Sequence, residues 1–201
     1  MLEKHIDAIF LIGSAFAMIR FLKIFIQQQV PVFMINAKLD GENIYYSDEG
    51  ISVSSAVDKL VATGKKNILY IYDALTPSAI AKLSGYVKGI TQNGIAYNED
   101  LIIKSPKTIE GGKTAVKTAI ETGNILDAAI CAEDILAIGA LKEMQKNKLR
   151  PCVIGFNNSF LCECASPTLS SIDNRFEDMC KMAVDVMTKV LSGEKAEKNT
   201  N

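Results

Sequence analysis

The stretch KNILYIYDALTPSAIAKLSGYVKGITQNG, residues 66–94, decides the fold class. It opens with a short β-rich apolar run, residues 67–71, of the length and continuity expected of a buried strand. A polar break follows at Asp73, then Thr76-Pro77. Thr76 suits a helix N-cap, and Pro77 suits the first helical position, where its missing N–H is no loss. The helix this predicts runs over residues 77–93, and Gly94 ends it. A strand feeding directly into an amphipathic helix is the first half of a βαβ unit.

The same alternation extends in both directions. Strands are predicted at residues 6–12, 30–36, 44–47, 67–71, 101–104, 128–132, 152–155 and 168–172, and helices at 15–28, 52–63, 77–93, 112–122, 134–146 and 176–191. Several strands are almost uninterrupted in apolar residues, as parallel strands covered on both faces are. In the second helix Val57, Leu60 and Val61 share one face, and Gly64 stops it. The fold class is α/β, with parallel sheets flanked by helices. Ligands are then expected at the carboxyl ends of the strands. Those ends fall at Gly13-Ser14, Asn36, Asp73, Glu133 and Asn157, four of the five polar. Residues 193–201 read as a flexible polar tail.

Composition excludes several classes. The chain has 201 residues, 48% apolar, with 22 Lys+Arg against 23 Asp+Glu and a net charge of -1. It is too apolar to be disordered. It is too near neutral for a broad electrostatic hold on DNA or an anionic membrane. Aromatic content is 7% with no Trp, which disfavours a base-stacking platform. Five cysteines, Cys131, Cys152, Cys162, Cys164 and Cys180, form no C-x-x-C pair and fit free thiols in a reducing, cytoplasmic setting. Near the N-terminus, residues 8–19 are apolar and Ala15-Phe16-Ala17 resembles a leader-cleavage site. Glu3 and Asp7 make a poor leader, and Arg20 and Lys23 arrive too soon for a membrane span.

Catalytic and cofactor motifs fail on inspection. Gly112-Lys113-Thr114 lacks the preceding glycine of a phosphate loop, because Lys107 stands there. No G-x-G-x-x-G follows a strand and no G-x-S-x-G occurs. The one histidine, His5, precedes the first strand. Glu99/Asp100 and Glu133/Asp134 are carboxylate neighbours at helix starts, where caps are the ordinary reading. Neither a metal, a cofactor nor an enzymatic activity is indicated.

Read in order, the segments IDAIFLIG, VPVFMINA, SSAVDKLVATGKKNILYI, SAIAKLSGYVKGITQNGI, AAICAEDILAIGALKEM, VIGFNN and PTLSSI...MAVDVMTKVLSGE resemble the effector-binding core of the LacI (lactose repressor) family of transcription regulators. That family is related to periplasmic sugar-binding proteins. The resemblance implies a two-lobed, hinged α/β molecule. The first lobe would hold residues 1–49 and 168–192, and the second 50–167. A small effector would bind in the cleft between them and alter the geometry of an attached helix-turn-helix head. The head and the first two strand–helix units of the family pattern do not appear, nor does the last strand after LSGE, so the first lobe is expected to be incomplete. Operator DNA would be read only through that absent head. The alternative is a periplasmic or lipid-anchored solute-binding protein.

The resemblance also implies site residues. Asn36, Lys82, Glu133 and Asn157 stand where the family usually has Asp, Arg, Asn and Asp, and Phe176 stands at an aromatic wall. Each position stays polar, but the charges are reshuffled, which suits a small polar effector, sugar-like or otherwise, that is neutral or cationic rather than anionic. Family members dimerise side by side. Ile138 and Leu141, at i and i+3, with Phe160 and Leu161 in the loop after VIGFNN, are the homodimer residues this implies. The competing reading of Ile138 and Leu141 is burial against their own sheet.

Overall fold

The computed structural model describes residues 6–13, 19–36, 44–150 and 152–194. By contacts the chain divides into two compact units, residues 1–47 with 175–201, and residues 48–174.

The larger unit is built on five parallel strands: β4 (Ile68–Tyr72), β5 (Ile102–Lys104), β6 (Ala128–Cys131), β7 (Val153–Phe156) and β8 (Ser170–Ile172). Their order is β5-β4-β6-β7-β8. The strands of the smaller unit are β1 (Ile9–Ile12), β2 (Val32–Ile35) and β3 (Ile44–Tyr45), also parallel and in the order β1-β2-β3. The helices are α1 (Ile19–Gln27), α2 (Glu49–Ala62), α3 (Pro77–Gln92), α4 (Ile109–Glu121), α5 (Asp134–Lys146), the single turn α6 (Leu161–Cys164) and α7 (Phe176–Leu191).

Alternation along the strands explains why both faces of the larger sheet are covered. Leu69, Ile71, Ala129 and Cys131 point to one side, where they pack with Val116 of α4 and Leu136, Leu141 and Met144 of α5. Ile68, Tyr70, Ala128 and Ile130 point to the other, against Val53, Val57 and Leu60 of α2 and Tyr86 and Ile90 of α3. Each such aliphatic side chain contributes about 1.5–3 kcal/mol by leaving water. In the smaller unit, Phe33, Ile35 and Tyr45 pack against Met179 and Ala183 of α7. Leu11 and Met34 pack with Leu22 of α1.

Local chemistry sets the helix starts. Thr76 Oγ1 accepts the Ala79 N–H at 3.2 Å with Pro77 at the first position, as its sequence predicts. Two starts differ from the expected ones. Asp48 accepts the Ile51 N–H at 2.9 Å, so α2 begins at Glu49 rather than 52. Thr108 accepts the Gly111 N–H at 2.9 Å, so α4 begins at Ile109 rather than 112. Gly64 and Gly94, at φ 83° and 70°, adopt the left-handed conformation that ends α2 and α3. Residues 168–172 were expected in the first lobe with the second ending at 167. Here β8 hydrogen-bonds β7, Ile154 opposite Ser170, and so belongs to the larger unit. The leader-like Ala15-Phe16-Ala17, His5 and most of the expected tail lie outside the described residues.

Candidate functional site

The strand order of the larger unit reverses between β4 and β6, which run outward to β5 on one side and to β7 and β8 on the other. Such a switch point opens a crevice outside the carboxyl ends of the strands, because the following helices leave to opposite faces. Here those ends carry Asp73 after β4, Lys107 after β5, Glu133 after β6, Asn157 after β7 and Asn174 after β8.

Four of these side chains form one hydrogen-bonded chain. Lys107 Nζ lies 2.8 Å from Glu133 Oε2. The Asn157 Nδ2 group donates to the same oxygen at 3.0 Å. Asn157 Oδ1 in turn accepts from Asn174 Nδ2 at 3.0 Å. Both ends of the Asn157 amide are thereby oriented. The site's middle remains open to solvent, with the Glu133 side chain 20% exposed and Lys107 51% exposed. Glu133 sits at the N-cap position of α5 without capping it, so its carboxylate serves its neighbours across the sheet edge.

Backbone conformation is unusual at some of these places, as it is at Gln29 and Lys148 where helices end. Asn36, Asn157, Asn158 and Arg175 have φ of 55°, 96°, 48° and 54°. Left-handed non-glycine residues cost free energy and concentrate at functional loops, and asparagine tolerates them best. The pair Asn157-Asn158 directly after a strand is a signal legible in the sequence.

Lys82 reaches this edge from α3 but is buried, 3% exposed. Its Nζ donates to the Ala132 carbonyl at 3.2 Å and lies 3.8 Å from Glu49 Oε1 and 3.8 Å from the Phe156 ring centroid. Burial holds its ammonium below the usual lysine range, while the Glu49 and Glu133 carboxylates act the other way. It is a support beneath the crevice, ringed by protein groups. Of the expected site residues, Glu133 and Asn157 are therefore in contact, and Lys82 bonds the carbonyl of Ala132, the residue before Glu133. Asn36 and Phe176 belong to the smaller unit, where the Asn36 N–H donates to the Tyr45 carbonyl at 2.7 Å and Phe176 opens α7.

Lys107, Asn174 and Glu49 join the group without having been singled out as effector contacts. Lys107 follows the short strand β5, and a polar residue after a strand is the sign that marked the other four ends. Glu49 could not be found that way, because its link to Lys82 spans two helices.

The expected dimer residues separate. Ile138 and Leu141 are 7% and 4% exposed in the core between α4, α5 and the sheet, and Leu161 packs partly against it. Phe160 is 76% exposed. Among the described residues no group of three or more His, Cys, Asp or Glu side chains could hold a metal ion. No helix among them is long and apolar enough to cross a membrane.

Residues 57–201 match the family model described as a periplasmic binding protein-like domain. An HTH-type transcriptional regulator of Lachnoclostridium phytofermentans is 33% identical over 203 aligned residues, covering 96% of this chain and 61% of the relative. The HTH-type transcriptional regulator AscG of Escherichia coli is 26% identical, covering 81% of this chain and 51% of the relative. The chain thus spans less than two-thirds of the length of either relative. Among solved structures it is similar to a sugar-binding transcriptional regulator (LacI family) from Escherichia coli complexed with phosphate. The TM-score is 0.85 at 24% identity, over 95% of this chain and 71% of that one. It is also similar to the transcription regulator CcpA of Lactococcus lactis, with TM-score 0.79 at 25% identity over 99% of this chain and 75% of that one.

Proposed function

The chain belongs to the periplasmic binding protein-like domain family, and on that premise we propose that it is the effector-binding and dimerisation core of a LacI-type transcriptional regulator. The observation that carries this reading is the hydrogen-bonded chain Lys107–Glu133–Asn157–Asn174 at the switch point of the five-stranded sheet. It offers fixed donors and acceptors at a half-open edge, suited to the hydroxyl or amino groups of a small polar molecule. Asn36 and Phe176 are assigned to the effector on the family resemblance alone.

The charges favour a neutral or cationic effector. Lys107 faces the Glu133 carboxylate, and Lys82 is engaged by Glu49, the Ala132 carbonyl and the Phe156 ring. The family's usual Asn and Asp at the Glu133 and Asn157 positions are here Glu and Asn. The acid and the amide have exchanged places across a 3.0 Å hydrogen bond, which keeps one donor and one charge at the contact. Regulators among the relatives favour a cytoplasmic regulator over a secreted solute-binding protein. DNA contact is assigned to a helix-turn-helix head of the kind those relatives' names carry, and self-association to a two-fold contact that includes Phe160.

The test is a thermal-shift and calorimetric panel of neutral sugars, amino sugars and sugar phosphates on the purified chain. A neutral or amino-bearing member at about a hundredfold its Kd stabilises by about 2.7 kcal/mol, and Glu133→Gln abolishes the shift. Stabilisation only by sugar phosphates, or by no member, refutes the reading.

A further inference from the structure

Asp134, next to Glu133, is 3% exposed. Its Oδ2 accepts the Ser159 backbone N–H at 2.7 Å, and its Oδ1 accepts the Ser171 hydroxyl at 2.6 Å. Ser171 Oγ accepts the Asn158 N–H at 3.0 Å, and the Asn157 N–H donates to the Ile172 carbonyl at 2.9 Å. Three successive backbone N–H groups, 157 to 159, are thus tied down. Two belong to the left-handed Asn157 and Asn158. The third meets a buried carboxylate, and the second reaches the same carboxylate through one hydroxyl. The sheet makes room for this arrangement, since a Cβ on Gly155 would collide with Asp134 Oδ1.

We propose that Asp134 is a positioning residue: it clamps the turn 157–159 to β8, and so fixes the Asn157 amide against Glu133. The consequence for effector binding rests on the function proposed above, but the clamp itself does not. A left-handed Asn-Asn turn relaxes toward commoner backbone conformations unless its surroundings hold it. A buried carboxylate accepting charge-assisted bonds is a strong anchor for such a turn. Glu133 and Asp134 therefore divide one task between adjacent residues, one presenting its carboxylate at the half-open edge and the other locking the partner loop.

The test is made by NMR on the ligand-free full chain, following the Asn157 side-chain NH2 pair and the Asn158 and Ser159 amides in Asp134→Asn and Ser171→Ala. Asparagine keeps the shape but offers one acceptor oxygen where two donors point. Alanine at the half-buried Ser171 removes one arm and leaves the carboxylate. Both variants should collapse the distinct Asn157 NH2 resonances toward the solvent-exposed position. In Asp134→Asn the Ser159 amide should exchange about tenfold faster, as expected for losing roughly one charge-assisted hydrogen bond, and in Ser171→Ala the Asn158 amide, which loses its hydroxyl acceptor, should exchange faster, while the amides of β4 keep their shifts. If Asp134→Asn does not fold, Ser171→Ala decides alone. Unchanged Asn157 resonances in folded variants, or equal perturbation of β4, would overturn the assignment. Because no effector is present, a negative ligand panel leaves this result standing, and a failed clamp leaves the panel's result standing.

Discussion

Replacing Lys82 by methionine tests how the buried ammonium is held. Its Nζ lies 3.8 Å from Glu49 Oε1, a separation worth about 4 kcal/mol of attraction at an effective dielectric of about 20. Removing each ion from water costs several kcal/mol, so the pair by itself roughly breaks even. The bond to the Ala132 carbonyl at 3.2 Å, worth about 1.5–3 kcal/mol as a charge-assisted bond, and the Phe156 ring 3.8 Å away, worth about 0.5–2 kcal/mol, add to the attraction and limit, without cancelling, the desolvation that holds the ammonium below the usual lysine range. Lys82→Met removes all three and leaves the Glu49 carboxylate, 7% exposed, without its cation. The expected cost is about 3–5 kcal/mol. Glu49→Gln in that background removes the stranded charge, and the double variant should recover to within about 1 kcal/mol of the parent. Urea unfolding followed by circular dichroism measures all four corners of the cycle. The pH dependence adds a sign. Burial lowers the folded-state pKa of Lys82 below its unfolded value. Between those two values the unfolded chain holds one more proton, so stability rises with pH through that window. The parent should therefore gain on Lys82→Met as pH climbs from neutrality toward about 10. A single-variant cost below about 1 kcal/mol, or two single costs that simply add in the double variant, would refute this account.

Two matched comparisons extend the test. The Tyr86 hydroxyl donates to the Ile68 carbonyl at 2.7 Å, whereas the fully buried Tyr70 hydroxyl has no hydrogen-bond partner among the described residues. In urea melts, Tyr86→Phe should then cost about 1–2 kcal/mol and Tyr70→Phe should be neutral or stabilising by about 1 kcal/mol. Leu141→Glu should destabilise by more than about 3 kcal/mol, because it buries an unpaired carboxylate in the core. Phe160→Ser should leave stability unchanged and weaken self-association in sedimentation experiments.

Much of the fold was legible because its determinants are local. The near-continuous apolar strands, Thr76-Pro77 and Gly94 each act within a few residues, and α3 and α5 fall at or within a residue of where the pattern puts them. The caps at Asp48 and Thr108 were just as local, yet the pattern of apolar residues hid them. Helix starts are set by a side-chain oxygen reaching an N–H, and hydropathy carries no trace of it. The spacing of Ile138 and Leu141 identified a shared face but not what that face meets. The answer depended on α4 lying across α5. Residues at the site were harder for the same reason, since a contact between positions far apart changes the meaning of both. Lys82, taken singly, is a cation placed to meet a ligand. Beside Glu49, the Ala132 carbonyl and Phe156 it is part of the support. Glu133 and Asn157, taken singly, are two departures from a family pattern, each suggesting an altered site. Joined at 3.0 Å, they are one donor–acceptor contact. The charge reshuffling thus bears less on whether the edge holds a polar effector than on where that effector's donors and acceptors must fall. Glu133 accepts where the family's usual residue would also donate, so an effector group placed there should be a hydroxyl or an amine acting as donor.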